Sequence, residues 1–256
     1  MMRIAAIVNT GRAIGLLATG AALVAGALET RGEPLALASV FSDHAVVQRG
    51  IEAPVWGVAD PGQNVRVAVT RNGDVKFSAQ AKADARGKWQ VKTTPFEAGG
   101  PYELSAWTSA DDRVTITNVL FGDVWICSGQ SNMEMSYRWG LTNGKEDLET
   151  NAFAKVRLLN VPNKTAIEPV ETFNAKWRVC NPESAKDFSA CGYFFGAALH
   201  REMPDVPIGL VDVTWSGTYI QTWMALDTLG KIDSLREAVA ARREAIRHWL
   251  DGGSAT

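Results

Sequence analysis

The hydrophobic pattern changes its period at Gly122, and that change bounds the folds open to this chain. Upstream, from about Leu35 to Leu120, apolar residues recur at every second position. In Asn64–Thr70, Val65, Val67 and Val69 share one face, opposite Arg66, Ala68 and Thr70. Val75–Ala81 repeats the alternation, and Asn72-Gly73 between the two runs suits the positive φ angles of a tight hairpin turn. Further strands are expected at Trp89–Thr93, Tyr102–Thr108 and Val114–Leu120. Short alternating strands with turn signals at this spacing predict an antiparallel, sandwich-like support domain over 35–120.

Downstream the apolar runs become continuous. Val124–Cys127, Val156–Val161 and Ile208–Val213 read as strands buried on both faces of a parallel sheet. Between the second and third, Ser189 caps an expected helix that Pro204 stops, with Phe194, Phe195, Ala198 and Leu199 as its apolar stripe. A second helix, to about Leu250, is expected from a capping box at Ser234–Glu237, with Leu235, Val239, Ile246 and Trp249 on one side. The fold class is therefore α/β, with a β-sandwich-like domain followed, over 121–256, by an incomplete α/β domain with right-handed crossovers.

Charge excludes one class of partner. The formal net charge of -2 and pI near 6.0 offer no basic surface for nucleic acid or an anionic membrane. Residues 1–27 read as a signal peptide, because Arg3 and Arg12 flank a basic start, Ala13–Leu28 is apolar, and Ala25-Gly26-Ala27 fits a cleavage site. The apolar stretch is shorter than the roughly 20 residues of a spanning helix, so export is preferred to an uncleaved anchor. Export then means the periplasm or the outside of the cell, with no stable membrane insertion after processing. Cys127, Cys180 and Cys191 show no metal-ligand spacing. Burial is the expected role of Cys127, and a bridge between Cys180 and Cys191 is left open by the spacing.

Ser131 stands directly after the first continuous strand, where ligands of parallel sheets bind. There its hydroxyl would be exposed, and its own N–H could help hold an oxyanion. Ser131-Asn132-Met133-Glu134 is also a capping box, which offers a purely structural reading. Thr214-Trp215-Ser216-Gly217-Thr218 follows the third strand and opens over the same sheet edge. Gly217 could bring a second N–H donor close to a ligand, or could simply make a strand-to-helix turn. Trp139, Trp215 and Trp223 could stack on a sugar or belong to the core.

At these residues the chain resembles the sialate O-acetylesterase family of SGNH-type serine hydrolases. Phe121–Glu134 is similar to its nucleophile block, and Phe41–Arg49 with Ala53–Gly57 to the opening of its β domain. Phe188–Gly196 and Trp215–Trp223 are similar to two later blocks. The resemblance implies removal of O-acetyl groups from carbohydrates, without metal or organic cofactor. It implies Ser131 as nucleophile and the backbone N–H groups of Ser131 and Gly217 as the oxyanion hole. Gln130, Asn132, Trp215 and Thr218 would neighbour the substrate. Ser216-Gly217-Thr218 stands where the family commonly shows Gly-Gly-Thr, which leaves the donor of that loop open.

The family supplies its base from an Asp-x-x-His motif and a side-chain donor from a Gln-Gly-Glu block, and neither occurs here. His44, His200 and His248 lack an aspartate three residues earlier, and His200 is expected to be solvated. The expectation is a chain that stops before the rest of its catalytic domain and leaves an unpaired sheet edge prone to association. Alternatives are a polysaccharide (xylan) acetyl esterase of the same superfamily, and a non-catalytic exported module that is degenerate or binds glycans.

Overall fold

The structure, a computed structural model, describes residues 34–141, 144–150, 152–166 and 172–251. The expected signal peptide lies outside them. The described chain forms two compact units. The larger comprises the described residues of Gly32–Asn163 and Glu171–Thr218, the smaller those of Lys164–Val170 and Tyr219–Thr256.

The larger unit begins with β1 (Ala36–Leu37), β2 (Val46–Gln48), β3 (Pro54–Val58), β4 (Asn64–Arg71), β5 (Asp74–Lys82), β6 (Lys88–Lys92), β7 (Gly99–Trp107) and β8 (Arg113–Cys127). It continues through α1 (Ser131–Glu134), α2 (Lys145–Thr150), β9 (Phe153–Asn160), β10 (Arg178–Cys180), α3 (Pro182–Ala185), α4 (Ala190–Glu202) and β11 (Ile208–Asp212). β1, β3 and β6 form a three-stranded sheet, and the other strands form an eight-stranded mixed sheet. The β4–β5 hairpin turns at Asn72 (φ 54°) and Gly73 (φ 86°), the two positive angles its dipeptide favours. Alternation sends Val65, Val67 and Val69 into a core with Val55, Trp89, Val91 and Leu104, so the two sheets share one interior.

The two runs Val114–Leu120 and Val124–Cys127 are the ends of a single strand, β8. Its first part pairs antiparallel with β7. Its last part pairs parallel with β11, which also lies parallel to β9. The change of period at Gly122 therefore marks a change of neighbours along one strand. Beyond Gly122 the other side of β8 carries no strand among the described residues, and the Gln48 side chain accepts the Val124 N–H at 2.9 Å. Burial on both faces, expected for Val124–Cys127, holds at Cys127 and in part at Val124, but not at the two residues between them. Trp125 is 44% exposed and Ile126 40%, with Phe195 edge-on to Trp125 at 5.1 Å.

Helix α4 turns a different face inward from the one its large apolar residues suggested. Phe194, Phe195 and Ala198 are exposed, while Ala190, Tyr193, Gly196 and Ala197 are buried. The cause is close approach. A Cβ on Gly196 would lie 2.4 Å from Leu210 Cδ1, and one on Gly192 2.9 Å from Cys127 Sγ. Small residues let the helix seat against β11, and they contribute little to an apolar count. Ser189 does cap α4, accepting the Gly192 N–H at 3.0 Å.

In the smaller unit a short turn at Ile220–Trp223 leads to α5 (Leu226–Leu229), and a turn at Asp233–Leu235 leads to α6 (Arg236–Leu250). The capping box expected at Ser234 does not form, because the turn carries the chain past it and α6 starts after Leu235 without a side-chain cap. Val239 is buried and Arg243 pairs with Asp227, whereas Trp249 is exposed. Among the described residues no helix is long and apolar enough to cross a membrane.

Candidate active site

From the end of β8 the chain turns through Gly129 (φ 147°), where a Cβ would sit 3.0 Å from Met133 Cβ. Glycine is needed there for the angle and for the close approach. The turn delivers Ser131, partly exposed, to the first position of α1. The capping box expected at this point is absent. Gln130 holds the cap position without a side-chain bond, and Ser131 Oγ donates to Gln130 Oε1 at 3.2 Å. The hydroxyl is therefore not committed to the helix backbone.

Glu134 reaches away from its own helix instead of folding back. One carboxylate oxygen accepts the Ser216 N–H, and the other accepts from Asn163 Nδ2 at 3.3 Å. The loop after β11 is tied at successive residues. Thr214 donates its N–H at 3.0 Å and its hydroxyl at 2.6 Å to Asp212 Oδ1. Trp215 N–H donates to Gly129 O at 2.9 Å, which joins this loop to the one carrying Ser131. Thr218 Oγ1 donates to Trp215 O at 2.7 Å.

After these ties the N–H groups of Thr214, Trp215 and Ser216 are all taken. Those of Ser131 and Gly217 have no acceptor among the described residues. Gly217 is exposed with φ 74°, and open space surrounds the position of a Cβ. Gln130 and Asn132 are also exposed.

Asp212 is the buried charge of this region. Besides Thr214 it accepts from Ser189 N–H at 3.3 Å and Asn160 Nδ2 at 3.4 Å. Burial raises its pKa above the ordinary value, against the lowering effect of those hydrogen bonds, and Glu134 nearby adds to the rise. Glu134, Ser136, Trp139, Asn160 and Asp212 line a polar cleft of about 170 Å³. Trp139 is 54% exposed on its rim. Trp223 belongs to the smaller unit.

No histidine is hydrogen-bonded to Ser131 among the described residues. His44 Nδ1 pairs with Asn118 Nδ2 at 2.9 Å. His248 sits on α6. His200, expected to be solvated, is instead half-buried on α4 against Phe153, and its pKa falls chiefly through burial and secondarily through Lys155. The three cysteines are free, Cys127 and Cys180 buried and Cys191 exposed. Burial pushes the thiols of Cys127 and Cys180 up to about 12. Among the described residues no three His, Cys, Asp or Glu side chains gather as metal ligands.

Two residues of this arrangement escaped the sequence reading. Glu134 was visible, but local spacing assigned it to the wrong partner. Asp212 had a signal, an acid inside the continuous apolar run Ile208–Val213, and such an acid needs several donors to be tolerated.

Residues 121–253 match the family model described as carbohydrate esterase, sialic acid-specific acetylesterase. Sialate O-acetylesterase of Mus musculus is 28% identical over 220 residues, which are 81% of this chain and 40% of that protein. The sialate O-acetylesterase of Homo sapiens is 30% identical over 214 residues, 78% of this chain and 41% of that protein. The crystal structure of a carbohydrate acetylesterase from Xanthomonas citri aligns with a TM-score of 0.69 at 34% identity. That match covers 77% of this chain and 44% of that one. The chain thus spans about two-fifths of the length of these relatives. The match over 121–253 establishes that this chain belongs to the sialic acid-specific acetylesterase family of carbohydrate esterases.

Proposed function

We propose that this chain carries the nucleophile and the backbone oxyanion donors of an SGNH-type serine esterase that removes O-acetyl groups from carbohydrates. One observation carries the reading. Two loops at the carboxyl ends of β8 and β11, joined by Trp215 N–H to Gly129 O, leave the N–H groups of Ser131 and Gly217 without acceptors among the described residues. Every earlier amide of the second loop is engaged. In this reading Gly217, not Ser216, is the donor of that loop, because Glu134 already holds the Ser216 N–H.

Ser131 Oγ attacks the acetyl carbonyl carbon, and the carbonyl oxygen becomes an oxyanion held by the two N–H groups. The hydroxyl proton passes to a base, the sugar alcohol leaves with a proton, and water later releases acetate from the acyl-serine. Asp-x-x-His, which the family resemblance assigns to the base and its orienter, does not occur in the 256 residues. In this reading the chain supplies the nucleophile and the oxyanion donors, and attack depends on a base from outside Ser131's described neighbours. Gln130, Asn132, Trp215 and Thr218 border the acetyl group, and Trp139 offers its exposed face to a sugar ring.

A fluorophosphonate probe tests the nucleophile. Peptide mass spectrometry is expected to find the adduct on Ser131 in the wild type and none in Ser131→Ala, with labelling that quickens as pH rises and hydroxide substitutes for the base. An adduct spread over other serines, or none after prolonged exposure, overturns the proposal. Retained binding of an acetylated glycan by an unlabelled protein would point to the non-catalytic alternative. The reading also places the mature protein outside the cytoplasm. Expression in a bacterial host should then yield a periplasmic or extracellular form beginning after Ala27, read from its intact mass.

A further inference from the structure

We infer that Glu134 is a positioning residue for the oxyanion donor on the second loop, a role that rests on the function proposed for Ser131 and Gly217. Glu134 lies three residues after Ser131 on the same four-residue helix. Its carboxylate accepts the Ser216 N–H, the amide immediately before that of Gly217. One short element therefore carries the nucleophile and also the group that fixes the donor's neighbour.

The clamp acts in two ways. It engages the Ser216 N–H, so that from Val213 to Gly217 the N–H of Gly217 is the one without an acceptor among the described residues. It also fixes the orientation of Ser216, from which the peptide plane bearing the Gly217 N–H follows. Gly217 needs such a constraint. Its φ of 74° lies in a region glycine enters freely, and beyond its two chain neighbours no described residue comes within 4 Å of where its Cβ would be. No side chain at this position can wedge the loop, so the aim of its N–H depends on how the residues before it are held. Asp212 secures the root of the loop through Thr214, and Glu134 secures the stretch next to the donor. Asn163, on the second carboxylate oxygen at 3.3 Å, keeps the glutamate turned toward the loop.

The test compares Glu134→Ala and Glu134→Gln with the wild type in the full chain. Glutamine retains an acceptor oxygen and alanine does not. Amide hydrogen exchange followed by NMR is expected to show Ser216 protected in the wild type and in Glu134→Gln, but open in Glu134→Ala. The Gly217 amide resonance should move only in the alanine variant. Unchanged amides at Val67 and Val69 certify that the variant is folded. The maximal rate of phosphonate labelling at Ser131 is expected to fall about 10- to 100-fold in Glu134→Ala, less than the roughly 100- to 1000-fold of deleting a donor. Half-saturation by the probe should stay the same, and Glu134→Gln should recover most of the rate.

An alanine variant whose Ser216 protection and labelling rate match the wild type would overturn the inference. So would a glutamine variant as impaired as the alanine one. A wild type that takes no label at all refutes the nucleophile instead, and the two amides then decide the clamp alone.

Discussion

At the scale of single residues, the site depends on one acid kept inside against the cost of its charge. Asp212 is 7% exposed, and two backbone N–H groups, a hydroxyl and an amide group serve its oxygens. Burial nevertheless outweighs them and lifts its pKa above 3.8. The fold thus binds this proton more tightly than the unfolded chain does, so the stabilising contribution of the neutral form is complete below 3.8. It is lost as pH rises through the higher folded value. Asp212→Asn cannot ionise, so the unfolding free energy of the wild type minus that of the variant is expected to be largest in acid. It should shrink as pH rises, measured by urea titration at a series of pH values. A difference that grows with pH would mean that the four donors, not burial, set the ionisation of Asp212.

At the scale of elements, legibility followed side-chain size. The β4–β5 hairpin could be read because Asn72-Gly73 announces its own dihedral angles, and the strands because valines alternate at a fixed period. α4 had the right position and cap but the wrong face, since Gly192, Gly196 and Ala197 draw the helix in by lacking bulk. The two expected capping boxes failed for different reasons. At Ser131, local spacing shows that Glu134 can fold back, but not that a loop about eighty residues away, at Ser216, offers it another donor. At Ser234, a turn over Asp233–Leu235 shifts the helix start past the expected cap. Gly196→Val tests the face directly. Valine favours helix over glycine intrinsically, yet its Cβ would meet the fully buried Leu210 at 2.4 Å. A net loss of about 1–3 kcal/mol is expected from overpacking. Ala198→Leu, on the exposed face, should stay within about 0.5 kcal/mol. Equal losses in urea denaturation would return α4 to the orientation its phenylalanines suggested.

At the scale of the larger unit, β8 joins the antiparallel and the parallel parts of the eight-stranded sheet. It pairs with β7 and β2 over its first part and with β11 over its last, and the nucleophile turn leaves its end. The core repeats that continuity. Leu159 and Val211 from the parallel side pack in the same cluster as Val55, Val67 and Leu104, and Trp177 ties across it by donating Nε1–H to Val40 O at 2.8 Å. Phe121 is fully buried midway along β8 and stacks on Phe96 with ring centroids 4.0 Å apart. A shared strand and a shared core leave no plane along which this unit can part without exposing apolar surface on both sides. The amides of Val67 and Leu158 are therefore expected to exchange through openings of equal free energy. Phe121→Ala should lower both together by about 3–5 kcal/mol, the usual cost of emptying a buried phenylalanine site. If Val67 kept its protection while Leu158 lost it, the antiparallel part would stand on its own. The position of Ser131 would then be referenced to the parallel strands alone.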